Sequence, residues 1–565
     1  MPTTSALWRI APAAALAILI GPITMGLIWT ILPAFHVLPA LGATRPSLDG
    51  WRMLAATPGF ATSLRLTIAT GTATTLLALA VAVGFCASAA ASARLRRLER
   101  ALPSLLASPH SAMALGFAFL VIPSGWIARL ISPWATGWHR PPANFVTVQD
   151  PLGVGMIVGL LIKEVPYLIL MIIAAAAQVP VHRTLIAARA LGQPPAVAWL
   201  KTVFPQIYPQ IRLPIFAVLA FSLSVVDVGL ILAPGDPPPL AILATRWFSG
   251  YDLALYYPAA AVATLQLAIV LGAIICWRVL ESPVATFGRL WLERGETDRP
   301  AELLLKALSA VAVLLGTLGG LSMAGMALWS VARSWWFPAP WPQAWQATNW
   351  VEQSDRIAVT TGTTLAIGFL STFVALGLVL ACLENEQRRA VRPGVASLWL
   401  LYLPLLVPQI AFLFGVQIAL VYLGVDGTLP AVAWTHLLFV LPYTFLSLAD
   451  PYRALDPRYA ATAAALGASP LRIFFAVRLP LLARPILVSI AVGFAVSAGL
   501  YLPTIFAGAG RVATLTTEAV TLAGGADRRI IGVFAVLQSA LPLMVYIVAL
   551  LLPRIIFYRR RELAR

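Results

Sequence analysis

Apolar residues fall in long runs along this chain, and polar residues gather in short stretches between them. The runs cover about 10–32, 61–90, 102–122, 152–177, 211–233, 258–280, 304–331, 357–383, 396–423, 430–449, 485–501 and 530–553. Most reach or exceed the ~20 residues that a helix needs to cross a bilayer. They are rich in Ala and Leu, with the Gly and Pro that membrane helices tolerate. A β-barrel would read as short alternating segments instead. The pattern predicts an all-α polytopic membrane protein with about twelve transmembrane helices.

Composition agrees. The 565 residues are 60% hydrophobic and 11% charged, where soluble domains carry about 25% charge. The first run follows Arg9, is longer than a signal core and meets no small-x-small cleavage site, so it is expected to be retained. Cys86, Cys276 and Cys382 lie in or at the ends of apolar runs without CxxC spacing, which predicts small buried hydrophobes, neither disulfides nor metal ligands. The five His are scattered. No GxxxxGK[ST], HExxH or GxSxG occurs, so the sequence offers no catalytic residues, no metal set and no cofactor of its own.

Charge fixes an expected orientation. If the amino terminus is cytoplasmic and twelve helices alternate, 27 of 39 basic and 11 of 22 acidic residues fall inside, an excess of 16 positive charges. Those basic residues include Arg94, Arg96, Arg97, Arg100, Arg183, Arg189, Arg388, Arg389, Arg392, Arg478 and Arg565. Positive-inside placement predicts both termini in the cytoplasm. It also explains the net charge of +17 without a nucleic-acid partner, which would require a folded basic surface with aromatic platforms.

The chain repeats itself. "SLRLTIATGTATTLLAL" from Ser63 aligns with "TTGTTLAIGFLSTFVAL" from Thr360, matching Thr67 with Thr364, Gly71 with Gly368 and Thr75 with Thr372 at an offset of 297. "SPHSAMALGFAF" from Ser108 aligns with "VPQIAFLFGVQI" from Val407, matching Pro109 with Pro408 and Gly116 with Gly415. "AARALGQPPAVAWLKTVFP" (187–205) aligns with "ATAAALGASPLRIFFAVRLP" (461–480), where Gly192 meets Gly467 at an offset of 275. Six helices in each half therefore run in the same order and orientation, as parallel repeats around a pseudo-twofold axis normal to the membrane. The expected division is a first half, 1–280; a cytoplasmic linker, 281–306; and a second half, 307–565.

The last pair of segments, about 180–210 and 455–485, lies on the predicted cytoplasmic side. Each reads as a short Ala/Leu helix, a Gly suited to the left-handed C′ position, and a second short helix. Ser469 is the expected N-cap, with Pro470 at the first helical position and Pro195 as its counterpart. Pro205 and Pro480 then interrupt the runs. One such elbow would be an ordinary connection. Two, equivalently placed, predict a device that fits a cytoplasmic groove.

These segments resemble the EAA loops of ATP-binding-cassette importer permeases, which read Glu-Ala-Ala, three residues, Gly, nine residues, Ile-x-Leu-Pro. Ala187, Ala188, Gly192 and Pro205 match in the first copy; Ala463, Gly467, Leu479 and Pro480 match in the second. Ile186 and Ala461 stand where the pattern has Glu. Over almost its full length the chain is similar to the fused two-half permeases of the thiamine and ferric-iron importer group and, within it, to the YnjC-like branch, through "KEVPYLIL", "IRLP" and "VVDVGLILAPGDPPPLA". The resemblance implies a MetI-like, type I importer permease fold in a bacterial inner membrane, in contact with membrane lipid. It further implies two copies of a separate ATPase, carrying ATP and Mg, on the two loops. A periplasmic solute-binding protein would deliver a small-molecule substrate.

Lys163, Glu164 and Asp227 lie within apolar runs, where charge is costly and faces a bundle interior or an aqueous path. A Lys163–Asp227 salt bridge and a place on the substrate path are the two readings open for them. The outer segment "SWWFPAPWPQAWQATNW" (334–350) reads as an interfacial aromatic belt, with a cage for a cation as the alternative. A twelve-helix ion-coupled secondary transporter is the main rival for the whole chain, with Glu164 and Asp227 as its proton-coupling acids. A polytopic enzyme lacks a clustered set of reactive side chains.

Overall fold

The structure is a computed structural model and describes residues 3–90, 92, 95, 102–294, 298–389 and 394–562. Arg94, Arg96, Arg97, Arg100, Arg392 and Arg565 of the charge count lie outside the described residues. The principal helices are α1 (Thr3–Ala34), α2 (Phe60–Ala89), α3 (His110–Val121), α4 (Val154–Ala176), α5 (Val181–Ala190), α6 (Pro195–Thr202), α7 (Phe204–Ser224) and α8 (Tyr256–Glu293). They continue as α9 (Arg299–Ser330), α10 (Ser354–Arg389), α11 (Gln409–Tyr422), α12 (Leu429–Arg453), α13 (Pro457–Ala465), α14 (Ala483–Gly499) and α15 (Arg528–Glu562).

Among the described residues, ten helices are long and apolar enough to cross a bilayer, or up to twelve if each of two bent pairs is one span. The pairs are Trp399–Leu406 with α11, bent by 92°, and Pro470–Leu481 with α14, bent by 76°. The expected continuous run 396–423 thus turns sharply at Val407 and Pro408. Proline supplies no N–H and drives its predecessor to extended backbone, and Val407 has ψ 125°. The first half breaks likewise, where Leu102–Ala107 ends before Pro109 and α3 begins.

The repeat is visible in hydrogen bonds. Thr67 Oγ1 accepts from Leu240 N–H at 2.9 Å, and Thr364 Oγ1 accepts from Leu515 N–H at 3.0 Å. The first helix of each half, however, packs across the molecule. Helix α1 lies on α10 and α11, and α9 lies on α2 and α3. The matched glycines explain how. A Cβ on Gly116 would sit 2.6 Å from Ser322 O of α9, and one on Gly415 would collide with Gly26 O of α1. Small residues let membrane helices approach backbone to backbone. The buried apolar cores therefore mix the halves: one cluster joins Ala82, Phe117 and Ile162 with Leu305 and Phe534, another joins Ile23 and Ala260 with Phe412 and Phe439.

Two connections carry structure of their own. Residues 281–306 include the end of α8 and the start of α9, with 295–297 outside the described residues. The Trp-rich segment, whose short strand pair joins Ala332–Ser334 to Ala344–Trp345, closes over Arg129 of the first half. The guanidinium lies 5.1 Å from the Trp335 ring and 5.5 Å from Trp329, and Trp126 Nε1 donates to Pro340 O at 3.1 Å. This aromatic cage encloses a cation of the protein itself.

Candidate functional site

The two elbows project from the same end of the bundle. In the first, α5 leads to Gly192 at φ 80° and α6 follows from Pro195; in the second, α13 leads to Gly467 at φ 79° and a helical turn starts at Pro470. Positive φ is nearly free for Gly and strained for a branched side chain, which accounts for both glycines. At each tip the preceding leucine is turned outward: Leu191 is 79% and Leu466 83% exposed. Ala187, Ile186, Ala461 and Leu466 lie on exposed surface, whereas Ala188 is buried and Ala463 half-buried.

The supports of the two elbows differ. Ser469 Oγ accepts from Arg472 N–H at 3.3 Å, so the second elbow caps itself. The equivalent cap position in the first is Pro194, which has no side-chain acceptor. Glu302 of α9 fills that role from across the molecule. Its buried carboxylate accepts from Ala196 N–H at 2.9 Å and Val197 N–H at 3.1 Å, and Lys306 pairs with it at 3.2 Å. Lys201 of α6 sits 4.4 Å over the Trp291 ring. A negative charge at a helix N-terminus satisfies orphan donors and complements the helix dipole.

The second elbow is held from behind. Glu384 of α10, 2% exposed, takes ion pairs from Arg478 and, at 2.6 Å, from Arg388, and a hydrogen bond from Tyr452 Oη. Trp8 of α1 packs on Phe474 with ring centroids 5.3 Å apart. Residues Phe474–Arg478 form a π-helical turn, with Leu479 N–H reaching back to Phe474 O. Pro480 follows within Leu479–Leu481, while Pro205 opens α7 after a break at Val203. Glu302 and Glu384 were not singled out in the sequence, because neither lies in the repeated motif.

Inside the bundle the Lys163–Asp227 salt bridge, one of the two readings left open, does not form. Lys163 Nζ donates to Leu105 O and Leu106 O at 3.0 Å each, and to Ser108 O. It closes the carbonyl groups released where the chain breaks before Pro109. Glu164 instead meets His110 Nε2 at 3.3 Å. Asp227 heads the short helix Asp227–Leu232, within electrostatic reach of His110 and of Tyr501. The ring of His110 lies 4.7 Å from Phe221, and Tyr443, with Tyr402 near it, approaches Glu164 from the second half. Two carboxylates and a histidine thus form a polar centre between the halves. His110 was not singled out in the sequence, where its neighbour Pro109 was noted only for its match to Pro408.

A duplicated helical bundle with a polar centre and paired elbows at one end defines a multi-pass transport subunit. The chain belongs to the inner-membrane permease subunits of ABC transporters. It is 31% identical over 552 residues to the inner membrane ABC transporter permease protein YnjC of Escherichia coli, an alignment covering 95% of this chain and 98% of that protein. No family model matches the chain. A permease of this kind is a transport component without catalytic activity of its own, and it works with an ATPase and other transporter parts.

Proposed function

We propose that this chain is the membrane pathway of an importer for a small hydrophilic solute. A periplasmic binding protein presents the solute, two ATPase copies dock on the elbows from the cytoplasm, and the solute crosses between the halves. ATP and Mg belong to the ATPase. The observation that carries the reading is the equivalent pair of elbows, each ending in an outward leucine before a positive-φ glycine. An apolar tip on a rigid turn suits a groove in a partner, in the manner of helix-in-groove recognition. Exposed Ile186 and Ala461, where the family pattern has Glu, leave that docking to apolar contact and shape.

Coupling follows from the exchanged helices. Helix α9 holds the first elbow through Glu302, and α1 touches the second through Trp8, so each elbow is tied to both halves. Drawing the elbows together would rock the halves about their crossing at Gly116 and Gly415, the alternating-access motion of repeated transporters. The polar centre at Glu164, His110 and Asp227 suits a polar solute. The ion-coupled secondary transporter, which needs no ATPase, does not accord with membership of the ABC permeases.

The test is the double variant Gly192→Val plus Gly467→Val. It should express and insert normally but lose most co-purifying ATPase and most turnover stimulated by loaded binding protein. Undiminished stimulation would remove the elbows from the account. For the orientation, a cysteine replacing exposed Trp345 should react with impermeant reagent in intact cells, and one replacing Leu466 only after the membrane is opened. The opposite pattern would invert the topology.

A further inference from the structure

The seam between α1 and α10 opens at its elbow end into a pocket of about 390 Å³, within the ~300–1,000 Å³ of ordinary ligand sites. Its wall is apolar, with Leu16, Leu19, Leu401, Leu441 and Phe445. Along α10 the lining passes from Val379 and Cys382 to Asn385, Glu386 and Arg389, and Ser397 lies beside them. The slot is greasy within the membrane and polar at the end near the elbow.

The matching seam of the first half, between α9 and α2, is shut. Ser88 Oγ donates to Leu305 O at 3.3 Å, and a Cβ on Gly84 would meet Leu308 Cβ at 2.5 Å. At the repeat offset of 297, Ala381 replaces Gly84 and Asn385 replaces Ser88. A methyl and a longer amide prevent the same close approach.

Charge at the mouth favours an anion. Both oxygens of Glu386 accept from Arg453, at 2.8 and 3.0 Å, and Arg388 is taken by Glu384. Arg389 is exposed and pairs with no acid among the described residues. A guanidinium with amide and hydroxyl groups beside an apolar slot matches a phosphate attached to an acyl chain. A hydrophilic solute would find no partners on that wall. We infer that the pocket binds one anionic phospholipid from the leaflet on the elbow side. That this leaflet is the inner one rests on the proposed orientation; the lipid class does not. The bound lipid props α1 against α10, whose Glu384 holds the second elbow.

The full chain is reconstituted in nanodiscs of equal phosphatidylglycerol and phosphatidylethanolamine, and retained lipid is read by native mass spectrometry after transfer to mild detergent. Phosphatidylglycerol should be retained in excess. Arg389→Gln should lower its retention about tenfold, the loss expected for one charged phosphate contact, and leave phosphatidylethanolamine unchanged. Leu401→Trp, which fills the slot, should remove both. Equal retention of the two lipids, or retention indifferent to Arg389→Gln, overturns the anionic assignment. Retention indifferent to Leu401→Trp in a monodisperse protein overturns the pocket. Arg389 is on the surface, so its variant decides the matter even if the tryptophan variant does not fold. No ATPase takes part, so failure of the importer reading would leave this result standing.

Discussion

The two elbows share spacing, turn and side of the bundle, yet one is capped by a residue from the opposite half and the other by its own serine. The first presses α6 into the core, where Ala196, Val197 and Trp199 are buried. The second leaves Pro470, Leu471 and Phe475 exposed and depends on Glu384 behind it. The motif therefore builds the turn, and residues outside the motif decide how firmly each turn is mounted. The arrangement makes the first elbow an extension of α9 and the second an extension of α10.

The largest expected effect is at Glu384. Removing a buried carboxylate that serves Arg478, Arg388 and Tyr452 leaves charge unpaired, at a cost of about 3–5 kcal/mol. Glu384→Ala should lower the thermal midpoint of the purified permease and speed hydrogen exchange over 470–481, with the first elbow unchanged. Glu302→Ala should be milder, about 1–3 kcal/mol, because it orphans two buried backbone donors. Its exchange signature should appear at Ala196 and Val197 alone, and Glu302→Gln should recover most of it. Equal responses of both elbows to either change would break the distinction between their mounts. Gly192→Ala and Gly467→Ala, each at positive φ, should cost about 1–2 kcal/mol locally. Ser469→Ala should cost least, about 0.5–1 kcal/mol of cap, and should loosen only the second elbow.

Much of the elbow was legible because its signals are local. A glycine between two short helices, Ser-Pro at a helix start and a matched proline each follow from backbone geometry within a few residues. Pairing the halves also exposed Gly116 and Gly415, although their purpose, the crossing of an exchanged helix, depends on contacts far apart in the chain. Lys163 illustrates the limit. Its cost in an apolar run was readable, but its partners are carbonyls freed by a break almost sixty residues away, and carbonyls carry no sequence signature. Arg129 within the tryptophans and Glu302 beneath Ala196 were hidden for the same reason. Periodicity reports which face a residue occupies; it does not report what crosses over to meet it.

The central claim is that both elbow tips enter an ATPase. Single cysteines at Leu191 and Leu466, in a chain with Cys86, Cys276 and Cys382 replaced, can carry a benzophenone maleimide and be photolysed in membranes holding the co-expressed ATPase. Both positions should cross-link to the ATPase, and a control at exposed Trp345 on the opposite face should not. Absence of a cross-link from both tips, in membranes where the assembled complex is otherwise recovered, would contradict the account.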